Sequence, residues 1–283
     1  MTVQPTNRGI IDSMQRSSEG AVVEARGLGM SYPVNGQRLR ALTGVDFKVA
    51  AGEFVTIIGP SGCGKSTLLR LAGGLLEPER GSITVDGDSP RAGRQSKKFG
   101  LVPQSPALLP WLTVRENLTL LPKVNRNQGR GPLGDGEIDT LLEAIGLTRF
   151  AGALPSALSG GMQQRVSLAR AFALRPPVLL MDEPFAALDE ITRSQMRFLL
   201  LDVWRDTSAT VVFVTHSIEE AVLLSDRVLV LTARPGRLSS ELTIKLDRPR
   251  RHGVEDGDEF HRHTSELRAA LNNAAGEPPP EQR

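Results

Sequence analysis

The sequence contains very little cysteine and no long apolar run. Its 283 residues include a single cysteine, Cys63, so an internal disulfide framework is excluded and a reducing compartment is expected. No apolar stretch approaches the length of about 18 residues that crosses a bilayer. The first 20 residues lack the apolar centre of a secretory signal. We therefore expect a soluble intracellular protein.

An excess of charge of either sign is also missing. The chain has 34 Lys and Arg residues against 32 Asp and Glu residues, which gives a formal charge of +2. Such a balance does not call for nucleic acid or an anionic membrane surface as a partner. The hydrophobic content of 40% is that of an ordinary globular protein.

Short apolar runs alternate with helical patterns along most of the chain. The runs are β-branched and nearly continuous, which is typical of buried parallel strands, and the segments between them carry helical periodicity. This alternation predicts an α/β fold in which helices cover a sheet. The clearest predicted strands are EFVTII, GSITVDG, PPVLLMDE, TVVFVTH and RVLVLTA.

The domain organisation follows from changes in this pattern. Residues 21–245 are predicted to form the main domain, preceded by a flexible leader at residues 1–20. Within the main domain, residues 105–175 lose the strand signal and become leucine-rich, which predicts an inserted helical subdomain with a Gly-rich polar loop at residues 125–136. Residues 246–283 are predicted to be a helix followed by a disordered Pro-rich tail.

The stretch GPSGCGKST follows a predicted strand and opens a predicted helix. It fits the pattern G-x-x-x-x-G-K-[ST], whose glycines let successive backbone N–H groups point at phosphate oxygens near a helix N-terminus. Lys65 is expected to reach the β- and γ-phosphates, and Ser66 to bind Mg²⁺. The alternative, a Gly-rich turn without a ligand, is disfavoured by the full context. The predicted phosphate-binding residues are Gly59, Pro60, Ser61, Gly62, Cys63, Gly64, Lys65, Ser66 and Thr67.

The thiol of Cys63 raises a separate question. The residue is expected to contribute its backbone N–H to phosphate binding. A thiol at a helix N-terminus is also a candidate for a lowered pKa.

Two adjacent acids end the apolar run VLLMDE. Asp182 is placed to bind Mg²⁺ at the carboxyl edge of the sheet, beside the phosphate loop. Glu183 is placed to accept a proton from an attacking water molecule. A simple helix-start signal is the alternative, but an apolar run leading directly into two acids favours the functional interpretation.

The stretch LSGGMQQR narrows the class of nucleotide-binding protein. It resembles the signature of the ATP-binding subunits of ABC transporters, with Met162 where that family usually has glutamine. Ser159, Gly160 and Gly161 precede a helix and would form a second phosphate site. An ordinary Ser-Gly helix cap is the alternative. The resemblance covers about residues 21–245 and implies a P-loop NTPase core with an inserted helical subdomain and a small antiparallel β region.

The resemblance assigns roles to four more residues in the family's order. It implies that Tyr32 stacks on adenine and that Gln104 senses the metal and the attacking water. It implies that Asp189 lies in a loop touching the opposite subunit and that His216 holds the γ-phosphate. Each match alone is weak evidence. An ordinary aromatic residue of a strand is the alternative for Tyr32, and a hydrogen-bonded histidine at the end of a strand is the alternative for His216.

The family resemblance also implies partners. Two copies would pack head to tail as a homodimer that sandwiches ATP, on the cytoplasmic face of the cell membrane. Separate permease subunits, served by a substrate-binding protein, would dock near residues 108–111 (Leu108, Leu109, Pro110, Trp111). The alternative for these apolar side chains is burial in the core of the helical subdomain.

Four stretches resemble the nitrate, sulfonate and taurine importers more specifically: PALLPWLTVREN, DEPFAALDEITR, VTHSIEEAVLLSDRV and ARPGR. This resemblance implies an ATP-hydrolysing importer subunit. A soluble ABC ATPase acting in translation or DNA maintenance and a small-molecule P-loop kinase are the other hypotheses. His252, His261 and His263 near the end of the chain are interpreted as part of a solvated basic helix and not as a metal site, because His261 and His263 point to different helix faces.

Overall fold

The computed structural model describes residues 20–124 and 134–276. The predicted leader up to residue 19, residues 125–133 of the Gly-rich loop and the Pro-rich tail at residues 277–283 lie outside the described residues. The described chain folds into two sheets covered by helices.

A six-stranded sheet forms the centre of the molecule, in the order β5-β6-β7-β3-β8-β9. Neighbouring strands are parallel except for the edge strand β9, which runs antiparallel to β8. All residues of β3 and β7 are buried, as expected of strands covered on both faces. The strands are β3 (Phe54–Ile58), β5 (Phe99–Val102), β6 (Val178–Asp182), β7 (Thr210–Val214), β8 (Arg227–Leu231) and β9 (Leu238–Thr243).

A smaller antiparallel sheet lies beside it, in the order β2-β1-β4. Its strands are β1 (Val23–Val34), β2 (Gln37–Val49) and β4 (Arg80–Val85). The final residues of β2 alternate between buried and exposed, so one face of this sheet is covered and the other is open.

Eight α-helices lie in the described part of the chain, and three of them, α3 to α5, follow one another between β5 and β6. No helix in the described ranges combines the length and apolarity needed to cross a membrane. The helices are α1 (Lys65–Ala72), α2 (Pro90–Gln95), α3 (Val114–Val124), α4 (Asp135–Ala144), α5 (Gly160–Ala173), α6 (Glu190–Thr207), α7 (Ile218–Leu224) and α8 (Asp258–Gly276).

The core consists of two apolar clusters, one on each face of the six-stranded sheet. Successive residues of a strand alternate between them: Phe213 belongs to one cluster, and Val212 and Val214 belong to the other. The second cluster also contains the buried residues of β1, β2 and α1. The sheet is therefore fixed on both faces, which holds the carboxyl ends of its strands in place.

The C-terminal helix differs from the sequence prediction of a solvated basic helix. One face of α8 is buried, including Phe260, His263 and Leu267, and packs into the core beside α7 and β8. The reason is the spacing of these residues at three to four positions, which places them on a single helix face. His261 is exposed while His263 is buried, so the two histidines do lie on different faces.

Candidate functional site

The loop between β3 and α1 makes a tight turn at the carboxyl edge of the sheet. Gly62 and Gly64 have φ values of 74° and 100°, in the left-handed region that favours glycine. A Cβ atom on Gly64 would lie 2.9 Å from the carbonyl oxygen of Ala41, so the loop also packs closely against β2. These two glycines allow the backbone to curl around a space in front of α1.

Lys65 provides a buried cation within this loop. Its side chain is folded back over the loop, where Nζ donates hydrogen bonds to the carbonyl oxygens of Gly59 at 2.8 Å and Pro60 at 3.2 Å. The residue is only 8% exposed. A desolvated ammonium group beside a helix N-terminus attracts an anion strongly, because water screens neither charge.

Ser66 and Asp182 meet across the loop from α1 and β6. The Ser66 hydroxyl donates a hydrogen bond to Oδ1 of Asp182 at 3.0 Å. Burial raises the pKa of Asp182, and the nearby charge of Glu183 adds to this increase, while the Ser66 hydrogen bond opposes it. A hydroxyl and a carboxylate oxygen are ligands that suit Mg²⁺, so the chemistry of this pair fits that ion.

Glu183, Gln104 and His216 form a polar cluster at the ends of adjacent strands. Gln104 Nε2 donates to Oε2 of Glu183 at 3.3 Å, and His216 Nδ1 lies 3.4 Å from the same oxygen. The three residues follow β5, β6 and β7, whose carboxyl ends lie side by side. Glu183 has a φ of 46°, an unusual value for a residue with a side chain, and its N–H donates to the carbonyl of Val214 at 2.9 Å.

A cavity of about 510 Å³ extends from this cluster over the loop to the antiparallel sheet. Tyr32 also lines this cavity, and its hydroxyl is 3.2 Å from Oγ1 of Thr67. The residues that line the cavity are Tyr32, Leu39, Ala41, Ser61, Gly62, Gly64, Lys65, Ser66, Thr67, Glu183, His216 and Arg234.

Three of these lining residues were missed by sequence reasoning. Leu39 and Ala41 carry no chemical signal, because they enter the cavity only through the position of β2. Arg234 lies in the stretch ARPGR, which resembles the importers but carries no recognised phosphate-binding pattern.

The signature residues lie elsewhere in the same chain. Ser159 caps α5, with its Oγ accepting a hydrogen bond from the N–H of Met162 at 3.3 Å, and both Ser159 and Gly160 are exposed. Asp189 caps α6 and accepts two hydrogen bonds from Thr192, which lower the pKa of Asp189. None of Ser159, Gly160, Gly161 and Asp189 lines the cavity over the loop.

The candidate lowered pKa of Cys63 is wrong. The side chain is fully buried, and this burial raises the pKa of the thiol. The positive charge of Lys65, whose Nζ lies 3.9 Å from the sulfur, acts in the opposite direction but is the smaller effect. The helix N-terminus does not offset the loss of hydration.

The apolar loop at residues 108–111 contains both buried and exposed side chains, so burial in the core and contact with a partner each describe part of it. Leu108 packs against the core, while the side chain of Trp111 is 70% exposed. The buried amide of Asn117 fixes the loop by donating to the carbonyl oxygens of Leu109 and Leu112 and accepting from the N–H of Leu109. The loop is thus a rigid platform that presents its tryptophan outward.

These features together define a P-loop nucleotide-binding site. A Gly-rich turn between a buried strand and a helix holds the lysine, and a hydroxyl–carboxylate pair lies beside it. Residues 42–186 match the family model described as ABC transporter. The chain belongs to the ABC transporter family, and it is an ATPase of that family with the α/β P-loop fold that the sequence predicted.

Known proteins agree with this assignment over most of the chain. The aliphatic sulfonates import ATP-binding protein SsuB of Bacillus cereus is 40% identical over 228 residues, covering 79% of this chain and 86% of that protein. The taurine import ATP-binding protein TauB of Roseobacter denitrificans is 42% identical over 216 residues, covering 74% and 77%. The dimeric post-hydrolysis structure of the ATP-binding cassette MJ0796 with ADP and Pi is 33% identical, with a TM-score of 0.69, and the match covers 80% of this chain and 100% of that one.

Proposed function

We propose that this chain is the ATP-hydrolysing subunit of an importer for a small sulfonate-type solute. The observation that carries the proposal is the gathering of Lys65, the Ser66–Asp182 pair and the Glu183 cluster at one edge of the sheet. Such a site can bind a nucleoside triphosphate and direct water at its terminal phosphate. The importer role rests on similarity to SsuB and TauB, whose names state that they serve sulfonate and taurine import.

The cavity over the loop is the proposed ATP site. The loop N–H groups and Lys65 would hold the phosphates, and Tyr32 would stack on the base. Ser66 and Asp182 would hold Mg²⁺, which neutralises the phosphate charge when bound. The raised pKa of Asp182 supports this role, because a carboxylate held out of water is stabilised by a nearby cation.

Glu183 is the proposed general base. Its carboxylate lies between the amide of Gln104 and the imidazole of His216, so an attacking water molecule could be oriented by all three groups. The backbone bond from Glu183 to Val214 ties the base to β7 and keeps it aimed at the cavity.

A head-to-tail homodimer is the proposed active form. The signature residues Ser159 to Gly161 are accessible but lie outside the cavity of their own chain, so a second copy would have to supply them to the phosphates. The related cassette structure is described as dimeric, which supports this arrangement. The exposed N-terminus of α5 would then face the γ-phosphate of the partner's ATP.

Docking to a permease is proposed for the face that includes Trp111. Trp111 is exposed two residues after Leu109, and Leu109 and Leu101 help to line an apolar groove of about 470 Å³. Exposed aromatic surface of this kind favours contact with another protein. The chain would thereby be held at the cytoplasmic face of the cell membrane, with a substrate-binding protein acting on the far side of the permease. The alternative roles in translation and DNA maintenance are not favoured.

Affinity capture from gently solubilised native membranes tests the importer role. The tagged chain is expected to recover a multi-span permease, and Trp111→Asp is expected to lose it. Ile191→Asp is the matched control, because Ile191 is exposed to a similar degree at the start of α6. Recovery of ribosomes, DNA-repair proteins or no membrane protein would contradict the importer role.

A further inference from the structure

A six-residue turn joins β8 to β9 and lies against the nucleotide cavity. This β8–β9 turn, Thr232–Arg237, is closed by hydrogen bonds of its own: the N–H of Thr232 donates to the carbonyl of Arg237 at 2.9 Å, and the hydroxyl of Thr232 donates to the carbonyl of Pro235 at 3.1 Å. The turn is thus an ordered element with a defined conformation.

The same turn is attached to the strand that lines the other side of the cavity. The N–H of Gly236 donates to the carbonyl of Ala41 at 2.9 Å, and its carbonyl accepts from the N–H of Thr43 at 3.0 Å. A Cβ atom at position 236 would lie 2.0 Å from the carbonyl oxygen of Cys63, so the turn also touches the phosphate loop directly. The turn therefore has a fixed position relative to both walls of the site.

Arg234 extends from this turn over the phosphate loop. Its Nε donates a hydrogen bond to the carbonyl of Gly62 at 3.2 Å, and its side chain lines the cavity together with Lys65. The residue is exposed, and within the described part of the chain its guanidinium contacts a neutral carbonyl and forms no ion pair with a carboxylate. A cation that is held at an anion site without an acidic partner is available to an anionic ligand.

We propose that Arg234 binds the phosphate chain of the nucleotide, as a second cation opposite Lys65. The inference rests on the proposed function of the cavity as an ATP site. Bound phosphate would replace the Gly62 carbonyl as the acceptor for the guanidinium, whose planar set of N–H groups matches phosphate oxygens better than an ammonium group does. The turn would thereby link phosphate binding to β2, whose residues Leu39 and Ala41 line the cavity.

Binding of ATP and ADP to purified variants in the presence of Mg²⁺ tests this role by calorimetry. Arg234→Met is expected to weaken both affinities about tenfold, since a charge-assisted hydrogen bond to phosphate is lost. Arg234→Lys is expected to fall between, because it keeps the charge but not the planar set of donors. Arg237→Met is the matched control from the same turn, with an exposed side chain that does not line the cavity, and is expected to bind as the wild type does.

Lys65→Ala separates this inference from the proposed function. If Lys65→Ala loses ATP binding while Arg234→Met stays within twofold of the wild type, the role of Arg234 is overturned and the ATP site stands. If neither change affects binding, the ATP site itself is wrong. Normal ATP affinity of Arg234→Met combined with failure to dimerise would also overturn the proposal, because the guanidinium would then serve a partner subunit.

Discussion

At the scale of single residues, Glu220 shows how a buried acid supports the site. It is 5% exposed, and its Oε2 accepts a hydrogen bond from the Thr215 hydroxyl at 2.5 Å. The same hydroxyl accepts a hydrogen bond from the N–H of Ser217. These hydrogen bonds hold the residues on both sides of His216 in the chain. Burial raises the pKa of Glu220, which means that the folded chain holds this carboxylate at a cost.

Replacing Glu220 is therefore expected to change how stability depends on pH. The pKa of Glu220 is higher in the folded chain than in the unfolded chain. Its contribution to the free energy of unfolding is therefore fully present at pH values below the unfolded pKa. This contribution is lost as the pH rises through the folded pKa. Glu220→Gln should consequently gain stability relative to the wild type as pH rises from 5 to 8, measured by urea unfolding. The exposed neighbour variant Glu219→Gln should show no such trend. An equal trend in both variants would contradict the explanation by burial.

The residues of the loop could be predicted from the sequence because their chemistry depends on local spacing. The glycines, Lys65 and Ser66 lie within one turn between a strand and a helix, so the pattern contains the geometry. Arg234 could not be predicted this way, because it reaches the loop from 172 positions further along the chain. The roles assigned to Gln104, Glu183 and His216 remain predictions.

At the scale of secondary structure, the missed elements are short or polar. Strand β5 has four residues and includes a glycine, so its apolar run is too brief to stand out. Strand β9 is an edge strand whose residues alternate between half-buried and exposed, and four of its six residues are polar. Fully buried strands such as β7 can be predicted, because burial on both faces demands an almost uninterrupted apolar run.

The helix α8 is expected to be an integral part of the core. Leu267 is fully buried in its packed face, so Leu267→Ala should lower the free energy of unfolding by about 3 kcal/mol, the usual cost of a cavity. Arg268→Ala, on the exposed side of the same helix, should change it by less than about 0.5 kcal/mol. Equal midpoints of thermal or urea unfolding for the two variants would contradict this packing and support the solvated helix that the sequence predicts.

At the scale of the whole molecule, the proposed ATP site consists of two groups of residues that lie apart in one chain. The loop with Lys65 lines a cavity that the signature residues do not reach. We predict that a second copy brings the N-terminus of α5 to that cavity, and that hydrolysis separates the two chains again. Transport would use this cycle of closing and opening to drive the permease.

The proposed shared ATP site is tested by the mass of the Glu183→Gln variant in solution with saturating MgATP. This variant should bind ATP without hydrolysing it, and light scattering should give twice the 30.6 kDa of one chain. Adding Gly160→Asp places a carboxylate at the exposed start of α5, where a Cβ atom meets no neighbour. The double variant should therefore fold and bind ATP but remain a monomer. A Glu183→Gln chain that stays at 30.6 kDa with ATP bound would contradict the shared site.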